Sequence, residues 1–498
     1  MSTVSQGCNK ILITGATGYI GRRLARRLLA GGFAVRLMAR NADHLKPSFG
    51  DSSAEIVQAD AQDEHSLRAA LEGVSMAYYL IHSMAAGGDF IRRDYDAAAA
   101  FAKAAKAAGL ERIIYLGGLG GSDAALSAHL RSRHEVGRIL TRTGIPVTEF
   151  RAAVIVGAGS LSFEMIRYLT ERIPMMICPR WVFTRIQPIG IDDVLDYLTG
   201  ALNNPDAAGK VIEIGGADIL TYADLMRIYA RQRGLRRWIV RVPVLTPKLS
   251  SYWVHLVTPI SSSIAIPLIQ GLKNEVIVTQ PDATTLFPEI AVTGYRNAVQ
   301  SALHDLHPDK LDGPVADAHP LRRWRWPRFC QHRQGMIIES HHIRCDTPPE
   351  QVFKVLDRVG GSNGWLGLEW IWRLRGWADR LCGGQGFQSR RPDKSLLEPD
   401  DSVDCFTVEQ VDRPNRLLLR VNYKLPGQGW LAFTIHPTSA NQTELTCTVY
   451  FAPKGLLGLL YWYSVLLPHR VVFSRLLKHI AAASVTQQPR LAKKGKIG

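Results

Sequence analysis

The most constraining feature of the sequence is a glycine-rich octapeptide, TGATGYIG, at residues 14–21. An apolar run at residues 10–14 leads into it, and apolar positions at helical spacing follow it. This order predicts a strand, a tight turn and a helix. Glycines in such a turn let backbone N–H groups approach a pyrophosphate, which the N-terminus of the helix also attracts. The residues predicted to hold the cofactor here are Gly15, Thr17, Gly18, Tyr19, Ile20 and Gly21.

Short apolar runs continue this pattern through the first 150 residues. Helix-like segments separate most of them, and repeated strands and helices predict a parallel sheet covered on both faces. The expected fold class is therefore α/β, a Rossmann-type doubly wound sheet. Its strands are expected at residues 10–14, 34–39, 55–59, 76–81, 112–116 and 147–150.

The pattern loosens after about residue 160. Another strand is expected at residues 210–214, and residues 219–280 look mostly helical, although four prolines interrupt them. We assign 160–300 to a substrate-side subdomain of a first domain at 8–303. A linker is predicted at 304–329, and its basic aromatic end, RRWRWPR, has three open roles: packing between domains, contact with anionic lipid, and stacking on bases.

Residues 330–486 predict a second, α+β domain. After a helix at 348–356, alternating stretches at 403–411, 416–423, 429–436 and 444–451 predict an antiparallel sheet. A long helix at 456–483 is expected to leave a cavity between itself and the sheet. Its first 12 residues are apolar all round, too few to span a bilayer, so they pack under the sheet or enter a membrane interface. The residues expected either to line the cavity or to pack in an ordinary core are Trp365, Trp370, Trp372, Trp377, Leu366, Leu368 and Leu374.

Composition narrows the compartment and the partners. A chain of 498 residues is long enough for two or three domains. Its net charge of +16 suits an anionic partner, but the charge is spread along the chain, and a solvated surface is the simpler explanation; no nucleic acid is expected. Residues 487–498 predict a basic, flexible tail.

Cysteine and histidine usage bears on the compartment and on metal binding. Seven widely spaced cysteines without a C-x-x-C pair and a polar N-terminus without a secretory signal favour a cytoplasmic location, with peripheral contact at the inner face of the membrane left open. His341 and His342 have no partner at ligand spacing, so no metal site is expected.

The end of the second strand bears on cofactor choice. No acidic residue stands where a ribose 2′-hydroxyl would be held, whereas Arg40 offers a cation for a 2′-phosphate, which favours NADP over NAD. Arg22 and Arg36 are candidate helpers. Asp60, after the third strand, is expected near the adenine or as a helix cap, and His82 at the end of the fourth strand is expected near the nicotinamide, beside Ser83.

These motifs resemble the extended and atypical branches of the short-chain dehydrogenase/reductase superfamily, including NmrA-like proteins and the accessory subunit of respiratory complex I. The resemblance rests on TGATGYIG, LIHS at 80–83, RAAVIVG at 151–157 and PIGIDDV at 188–194, and it covers about residues 10–300. Residues 330–485 resemble a START-like (SRPBCC, helix-grip) domain of unknown function that follows such reductase domains. The resemblance implies NAD(P) binding and an apolar ligand in the second domain.

The usual catalytic groups of that superfamily are replaced. Its members use a Tyr whose pKa a Lys four residues later lowers, and a Ser after strand five. The corresponding positions hold His129, Arg133 and the pair Gly117-Gly118. His129 is a candidate proton donor and Arg133 a candidate ligand for a ribose hydroxyl or phosphate, unless the two form an exposed pair one helical turn apart.

Three functions follow. The leading expectation is an atypical oxidoreductase of this superfamily that uses NADP(H), with NAD as the alternative, on a hydrophobic carbonyl, enone or quinone-like compound. The alternatives are a non-catalytic NADP-binding sensor or assembly factor, which the missing Tyr, Lys and Ser favour, and a peripheral membrane protein. The sequence does not determine the oligomeric state.

Overall fold

The computed structural model describes residues 10–82, 90–121, 126–242, 271, 274–311, 330–361, 364–365, 369–381, 383–439 and 441–486. The chain divides into two compact units, Met1–Trp324 and Arg325–Gly498. Several expectations fall outside the described residues: Ser83, the helical pattern at 243–270, the basic aromatic cluster at 322–328, and the tail at 487–498.

The first unit alternates strands and helices along most of its length. Its strands are β1 (Lys10–Ile13), β2 (Val35–Ala39), β3 (Glu55–Gln58), β4 (Val74–Tyr79), β5 (Arg112–Gly118), β6 (Val147–Ala152), β7 (Ile155–Val156), β8 (Met175–Pro179), β9 (Arg185–Ile186), β10 (Ile189–Gly190), β11 (Val211–Ile214), β12 (Leu220–Thr221) and β13 (Trp238–Val242). Its helices are α1 (Tyr19–Ala30), α2 (Lys46–Phe49), α3 (Glu64–Leu71), α4 (Phe90–Ala107), α5 (Ala128–Thr141), α6 (Leu161–Arg172), α7 (Ile191–Asn203), α8 (Tyr222–Gln232), α9 (Asp282–Leu286) and α10 (Tyr295–His304).

A seven-stranded parallel sheet forms the centre of this unit, in the order β11-β6-β5-β4-β1-β2-β3. Helices α1 and α7 pack on one face and α3, α4 and α5 on the other, and each face has its own apolar core. All five residues of β2 are buried, as expected for a strand covered on both sides. The Rossmann-type doubly wound sheet predicted from the sequence is confirmed. Its order reverses between β1 and β4, where ligands of such folds bind.

The substrate-side part of the unit contains short strand pairs and a separate core under α6, α8 and α10. The expectation of mostly helical structure at 219–280 is wrong for Trp238–Val242, because these residues form β13, a strand that pairs in parallel with β8. The residues of β13, WIVRV, are mainly β-branched and aromatic, and such residues favour an extended backbone.

The second unit is an antiparallel sheet with a long helix on it. Its elements are β14 (Cys330–Arg333), β15 (Met336–Cys345), α11 (Pro349–Leu356), α12 (Glu369–Leu381), β16 (Ser402–Val403), β17 (Phe406–Asp412), β18 (Arg416–Val421), β19 (Gly427–Ser439), β20 (Gln442–Pro453) and α13 (Gly455–Thr486). The strand order is β14-β15-β20-β19-β18-β17-β16. The antiparallel sheet predicted from the hairpins is confirmed, and α13 packs on β15, β20 and α11.

The prediction that one group of tryptophans and leucines lines a cavity is wrong for three of its members. Trp365 is fully buried in the core and its indole Nε1 donates to Asp404 Oδ2 at 2.8 Å. Trp370, Leu374 and Trp377 are instead exposed on α12. Leu366, Leu368 and the side chain of Trp372 lie outside the described residues. A spacing of three and four residues fixes which side chains share a helix face, but not which way that face points.

Helix α13 is long and apolar enough, by length and composition, to cross a membrane, and it is the one such helix in the described part of the chain. The mean hydropathy of its most apolar 18-residue window is 1.3, and 28% of that window is buried. Its buried side packs Trp462, Phe473 and Leu477 into the core of the second unit. The helix is therefore held along the sheet.

A carboxylate is buried where α13 crosses β15. Glu339 is fully buried; its Oε1 lies 2.8 Å from Nε2 of His341, and its Oε2 lies 3.5 Å from Nδ1 of His469. Burial alone raises the pKa of Glu339, but the two histidines outweigh this effect and hold the pKa below its ordinary value. Glu339 is therefore an anion at neutral pH and ties the helix to the sheet.

We predict that Glu339→Gln destabilises the second unit by about 1–3 kcal/mol at pH 7, because a charge-assisted hydrogen bond is replaced by a neutral one. Since the folded-state pKa of Glu339 is lowered, its contribution is complete above about pH 5 and disappears as the pH falls below about 4. The difference between variant and wild type should shrink accordingly. Urea unfolding followed by tryptophan fluorescence, at pH 7 and at a pH below about 4, measures this difference in the free energy of unfolding. Glu398→Gln, a change at an exposed carboxylate of the same unit, is the control.

Candidate functional site

A cavity of about 1060 Å³ lies at the carboxyl ends of the parallel strands. Its walls come from the loops after β1, β2, β3, β4 and β5 and from the substrate-side part of the first unit. Eleven site residues predicted from the sequence line it: Gly15, Thr17, Gly18, Tyr19, Ile20, Gly21, Arg40, Asp60, His82, His129 and Arg133. A parallel sheet brings these ends together because all of its strands point the same way.

The turn between β1 and α1 needs its glycines for close backbone contact. Gly15 has a φ of +66°, and a Cβ built on it would lie 2.6 Å from the carbonyl oxygen of Leu80. A Cβ on Gly21 would lie 2.3 Å from the carbonyl oxygen of Gly15. Gly18 precedes α1 without a capping side chain, and the first turn of α1 contains no acidic residue. Its N-terminal N–H groups are therefore suited to an anion such as a pyrophosphate.

Tyr19 connects this turn to the substrate-side part of the unit. A Cβ on Gly157 would lie 2.2 Å from the Tyr19 hydroxyl oxygen, so the two residues are in close contact. The guanidinium of Arg23 lies 4.9 Å from the centre of the Tyr19 ring and donates to the carbonyl of Ala158 at 3.0 Å. The turn is thus packed against the loop that follows β7.

The end of β2 presents Arg40 to the cavity. Arg40 is exposed, and the next residue, Asn41, accepts a hydrogen bond from the Asp43 backbone at 2.9 Å. Arg36 is not available to a ligand, because it is buried and bonded to the carbonyls of Ala70 and Glu72 and to Glu55. The prediction that Arg36 helps to bind the 2′-phosphate is therefore wrong. Side chains alternate between the two faces of a strand, and the side chain of Arg36 lies on the face that packs against α3. Arg22 is buried and does not line the cavity.

Asp60 lies across from Arg40 on the loop after β3. Its Oδ1 accepts from the backbone N–H of Gln62 at 3.1 Å, which is a turn within the loop. The alternative role as a helix cap is wrong, because Asp63 caps α3 by accepting from the N–H groups of His65 and Ser66. Asp60 is therefore exposed to the cavity beside Arg40.

Two histidines face each other deeper in the cavity. The ring centres of His82 and His129 are 5.0 Å apart. His82 Nδ1 lies 3.0 Å from Oδ2 of Asp94, a carboxylate buried on α4. His82 Nε2 and His129 Nδ1 have no hydrogen-bond partner among the described residues. Two nitrogens of the histidine pair are therefore buried in the wall of the cavity with their hydrogen-bonding capacity unused.

The protonation of the two histidines is coupled. Burial, together with the nearby His82 and Arg133, lowers the pKa of His129 to about 3. Burial also lowers the pKa of His82, while its hydrogen bond to Asp94 opposes this shift. Both rings are neutral in the open cavity. Of the two, His82 is better able to carry a positive charge, because Asp94 compensates it.

Arg133 is part of the wall and not an exposed partner of His129. Its guanidinium donates to the carbonyls of Ile81 and Leu116, and it lies 4.9 Å from the ring centre of Tyr115. The alternative of an exposed His129–Arg133 pair is wrong, since Arg133 is buried. These bonds hold the ends of β4 and β5 at fixed positions around the cavity.

At the position where a serine is usual, an added side chain would require its neighbours to shift. A Cβ on Gly118 would lie 2.7 Å from Cδ2 of Leu130, and one on Gly117 would lie 3.1 Å from Oε1 of Glu149. The side chains of Leu130 and Glu149 therefore pack close to the two glycines that stand in place of the serine.

Asp94 was missed by the sequence analysis. It stands on the same helix face as Ala97, Ala98 and Phe101, which are buried. A carboxylate on the apolar face of a predicted helix is costly unless it has a partner, and this was the available signal.

The remaining wall of the cavity is mostly apolar. It belongs to the substrate-side part of the unit, whereas the phosphate turn is at the other end. The large apolar side chains there are Leu119, Leu130, Leu161, Met165, Ile186, Tyr222 and Val276.

Comparison with known proteins separates the two units. Residues 8–276 match the NmrA-like family, and residues 336–476 match a family described as a protein of unknown function, DUF2867. Ceramide reductase of Caulobacter vibrioides is 28% identical over 247 residues, which cover 49% of this chain and 76% of the relative. Photosystem II assembly factor Ycf39 of Trieres chinensis is 22% identical over 245 residues, covering 48% of this chain and 74% of the relative.

Solved structures resemble the chain over a similar part. The triphenylmethane reductase of Citrobacter sp., solved with NADP(H), has a TM-score of 0.48 and 20% sequence identity, and the match covers 59% of this chain and 99% of that one. The DUF2867 match gives the second unit no further identity, and its START-like resemblance stays a prediction.

We predict that Gly21→Val lowers the affinity for NADPH at least tenfold, because its Cβ would meet the Gly15 carbonyl and open the turn. A fluorescence titration measures it. Gly121→Ala is the matched control, since a Cβ there has no atom within 4 Å. Equal affinity of the Gly21 variant and the wild type would contradict the assignment of the turn.

Proposed function

The chain belongs to the NmrA-like family, and from this membership and the geometry of the cavity we propose that it is an NADPH-dependent oxidoreductase acting on a hydrophobic carbonyl, enone or quinone-like compound. The family match confirms the NmrA-like resemblance. The observation that carries the proposal is the single cavity that joins the phosphate turn, the histidine pair and an apolar wall.

The cofactor end of the cavity favours a dinucleotide with a 2′-phosphate. The uncapped N-terminus of α1 receives the pyrophosphate, and Arg40 pairs with the 2′-phosphate. Asp60 borders the adenosine portion and His82 the nicotinamide. NADPH is therefore the cofactor that we propose, in preference to NADH.

The apolar end determines the class of substrate. A wall of leucine, methionine, isoleucine, valine and tyrosine side chains excludes water and offers few groups to bind a charged substrate. A relative is named for the reduction of ceramide, which is itself a large apolar molecule. Both observations support a hydrophobic acceptor.

The histidine pair supplies the proton chemistry in place of tyrosine and lysine. NADPH, when bound, supplies a hydride. A buried carboxylate can only accept, so Asp94 fixes the proton of His82 on Nδ1 and leaves Nε2 to take up or release a proton in the cavity. Asp94 then stabilises the protonated ring. His129 stays neutral and orients the reacting oxygen by a hydrogen bond.

The second unit and the domain division complete the proposal. We propose domains at 8–303 and 330–486, joined by a linker at 304–329, with the second a START-like helix-grip domain for a hydrophobic ligand. The packing of α13 along a seven-stranded antiparallel sheet supports this. The five cysteines of the described part are buried and unpaired, as suits a reducing, cytoplasmic location.

Binding of NADPH and NADH to the purified chain tests the cofactor. We expect tighter binding of NADPH, and Arg40→Ser should weaken it about ten- to hundredfold while leaving NADH within about twofold, because a charge-assisted pair is lost. Calorimetry measures both. Arg142→Ser removes an exposed cation outside the cavity and should change neither affinity. The same loss of both cofactors in Arg40→Ser would contradict the 2′-phosphate contact.

Steady-state NADPH consumption with hydrophobic carbonyls and quinones tests the histidine pair. We expect Asp94→Asn to lower turnover roughly a hundredfold or more with NADPH affinity retained. Because Asp94 raises the pKa of His82, its loss should move the alkaline fall of the reduction rate to lower pH. Asp96→Asn, at an exposed position of the same helix, is the control. An unchanged pH profile in Asp94→Asn would exclude His82 as the proton donor.

A non-catalytic role is the second candidate. Arg133 is bound to backbone carbonyls, and the tip of Leu130 packs against Gly118 where a serine is usual, so packing contacts stand in place of the usual machinery. One relative is named as an assembly factor. Tight NADPH binding without consumption by any acceptor would favour this candidate.

A further inference from the structure

The second unit exposes a row of large apolar side chains on α12. Trp370, Leu374, Trp377 and Leu381 are each between 57% and 69% exposed. Their spacing of four, three and four residues places them on one face of the helix. The opposite side of α12 contributes buried Gly376 and Asp379, whose carboxylate accepts from the backbone of Gly386 and Lys424. The exposed row is therefore fixed in place by the packing behind it.

Helix α13 carries a second exposed row. Its members recur at one-turn spacing and are between 37% and 74% exposed, while the other side of the helix is packed on the sheet. The members of this row are Leu456, Leu460, Tyr463, Leu467 and Val471. Together with the row on α12, they form what we call the α12–α13 face.

The two helices are in direct contact. Arg375 of α12 donates to the hydroxyl of Tyr461 at 3.3 Å, and its guanidinium lies 5.4 Å from the centre of that ring. The same guanidinium lies 4.9 Å from the ring centre of Tyr423. The two rows therefore belong to neighbouring elements held together at their contact.

The exposed charges that the structure describes on these two helices are all positive. The 32 residues of α13 contain no Asp or Glu, and its exposed cations are Arg470, Arg475 and Lys478. On α12, Arg373 and Arg380 are exposed, while Asp379 is buried. Among the described side chains of the two helices no acid is exposed, and the side chain of Glu369, the first residue of α12, lies outside them. Aromatic and leucine side chains beside such cations are complementary to anionic headgroups over hydrocarbon.

We propose that the α12–α13 face docks on an anionic lipid bilayer. Both helices lie along the membrane surface with Trp370, Trp377 and the leucines in the interface and the arginines at the headgroups. Helix α13 does not cross the bilayer, because one side of it is the wall of a protein core.

Charge also argues against a second copy of this chain as the occupant. A twofold dimer places the same patch of each subunit opposite its partner, so Arg373, Arg380, Arg470 and Lys478 would face their own kind. Like charges across a partly desolvated interface are unfavourable. A bilayer containing anionic lipid offers the opposite sign.

Vesicle flotation of the full chain tests the proposal. We expect wild type to float with phosphatidylcholine vesicles that contain phosphatidylglycerol, and to float less at high salt or without the anionic lipid. Trp370→Ser/Trp377→Ser should lower the apparent affinity about tenfold or more, because binding scales with buried apolar area. Leu460→Gln/Leu467→Gln should act similarly from the other helix. Melting temperatures verify that each variant folds.

The matched control is Trp238→Ser, since Trp238 is an exposed tryptophan of the first unit, 67% exposed. It should float like wild type. Three outcomes overturn the proposal: no flotation of wild type, equal flotation of folded wild type and double variants, or equal loss with Trp238→Ser. Light scattering that shows a dimer, dissociated by Trp370→Ser/Trp377→Ser, without flotation would assign the face to self-association instead.

Discussion

The contact between the backbone of Gly15 and that of Gly21 is the constraint on which the first unit depends. It lets α1 start immediately beyond β1, so the positive end of the helix meets the carboxyl edge of the sheet. From this fixed start, the alternation of strands and helices brings the ends of β2, β3, β4 and β5 to the same edge. The cavity is therefore a consequence of the topology, and the turn only determines which part of it receives phosphate.

The cavity shows how a reductase framework can lose its usual acid group and keep a coherent polar centre. Arg133 lines the cavity, and its bonds to the ends of β4 and β5 fix the backbone beside His82. Asp94 then holds His82 by a hydrogen bond from α4, the helix that packs beside α5. In the function that we propose, proton chemistry moves from one helical turn of α5 to a pair of rings contributed by two elements. Such a pair is available only because the sheet fixes both backbones.

Sequence patterns predicted the parallel sheet and many of the residues that line the cavity, because parallel sheets follow strict rules. They did not predict Asp94, whose importance depends on His82, a residue twelve positions earlier that no periodic pattern links to it. Arg36 was misjudged because its side chain is directed toward α3 and Glu55, which only the register of β2 with β3 reveals. On α12 the spacing identified one face, but whether that face meets core or solvent depended on where the whole helix sits. Local patterns thus describe elements, whereas charges and faces acquire roles from distant neighbours.

The two kinds of glycine around the cavity differ in how a genetic lesion could be repaired. At Gly118 an added methyl group meets the tip of Leu130, which a second mutation can shorten. At Gly15 and Gly21 it meets carbonyl oxygens, which no substitution removes. A second mutation in the same gene can therefore suppress a substitution at Gly118, but not one at Gly15 or Gly21. We therefore expect Gly15 and Gly21 to tolerate no larger residue, whereas Gly118 and Leu130 can change together.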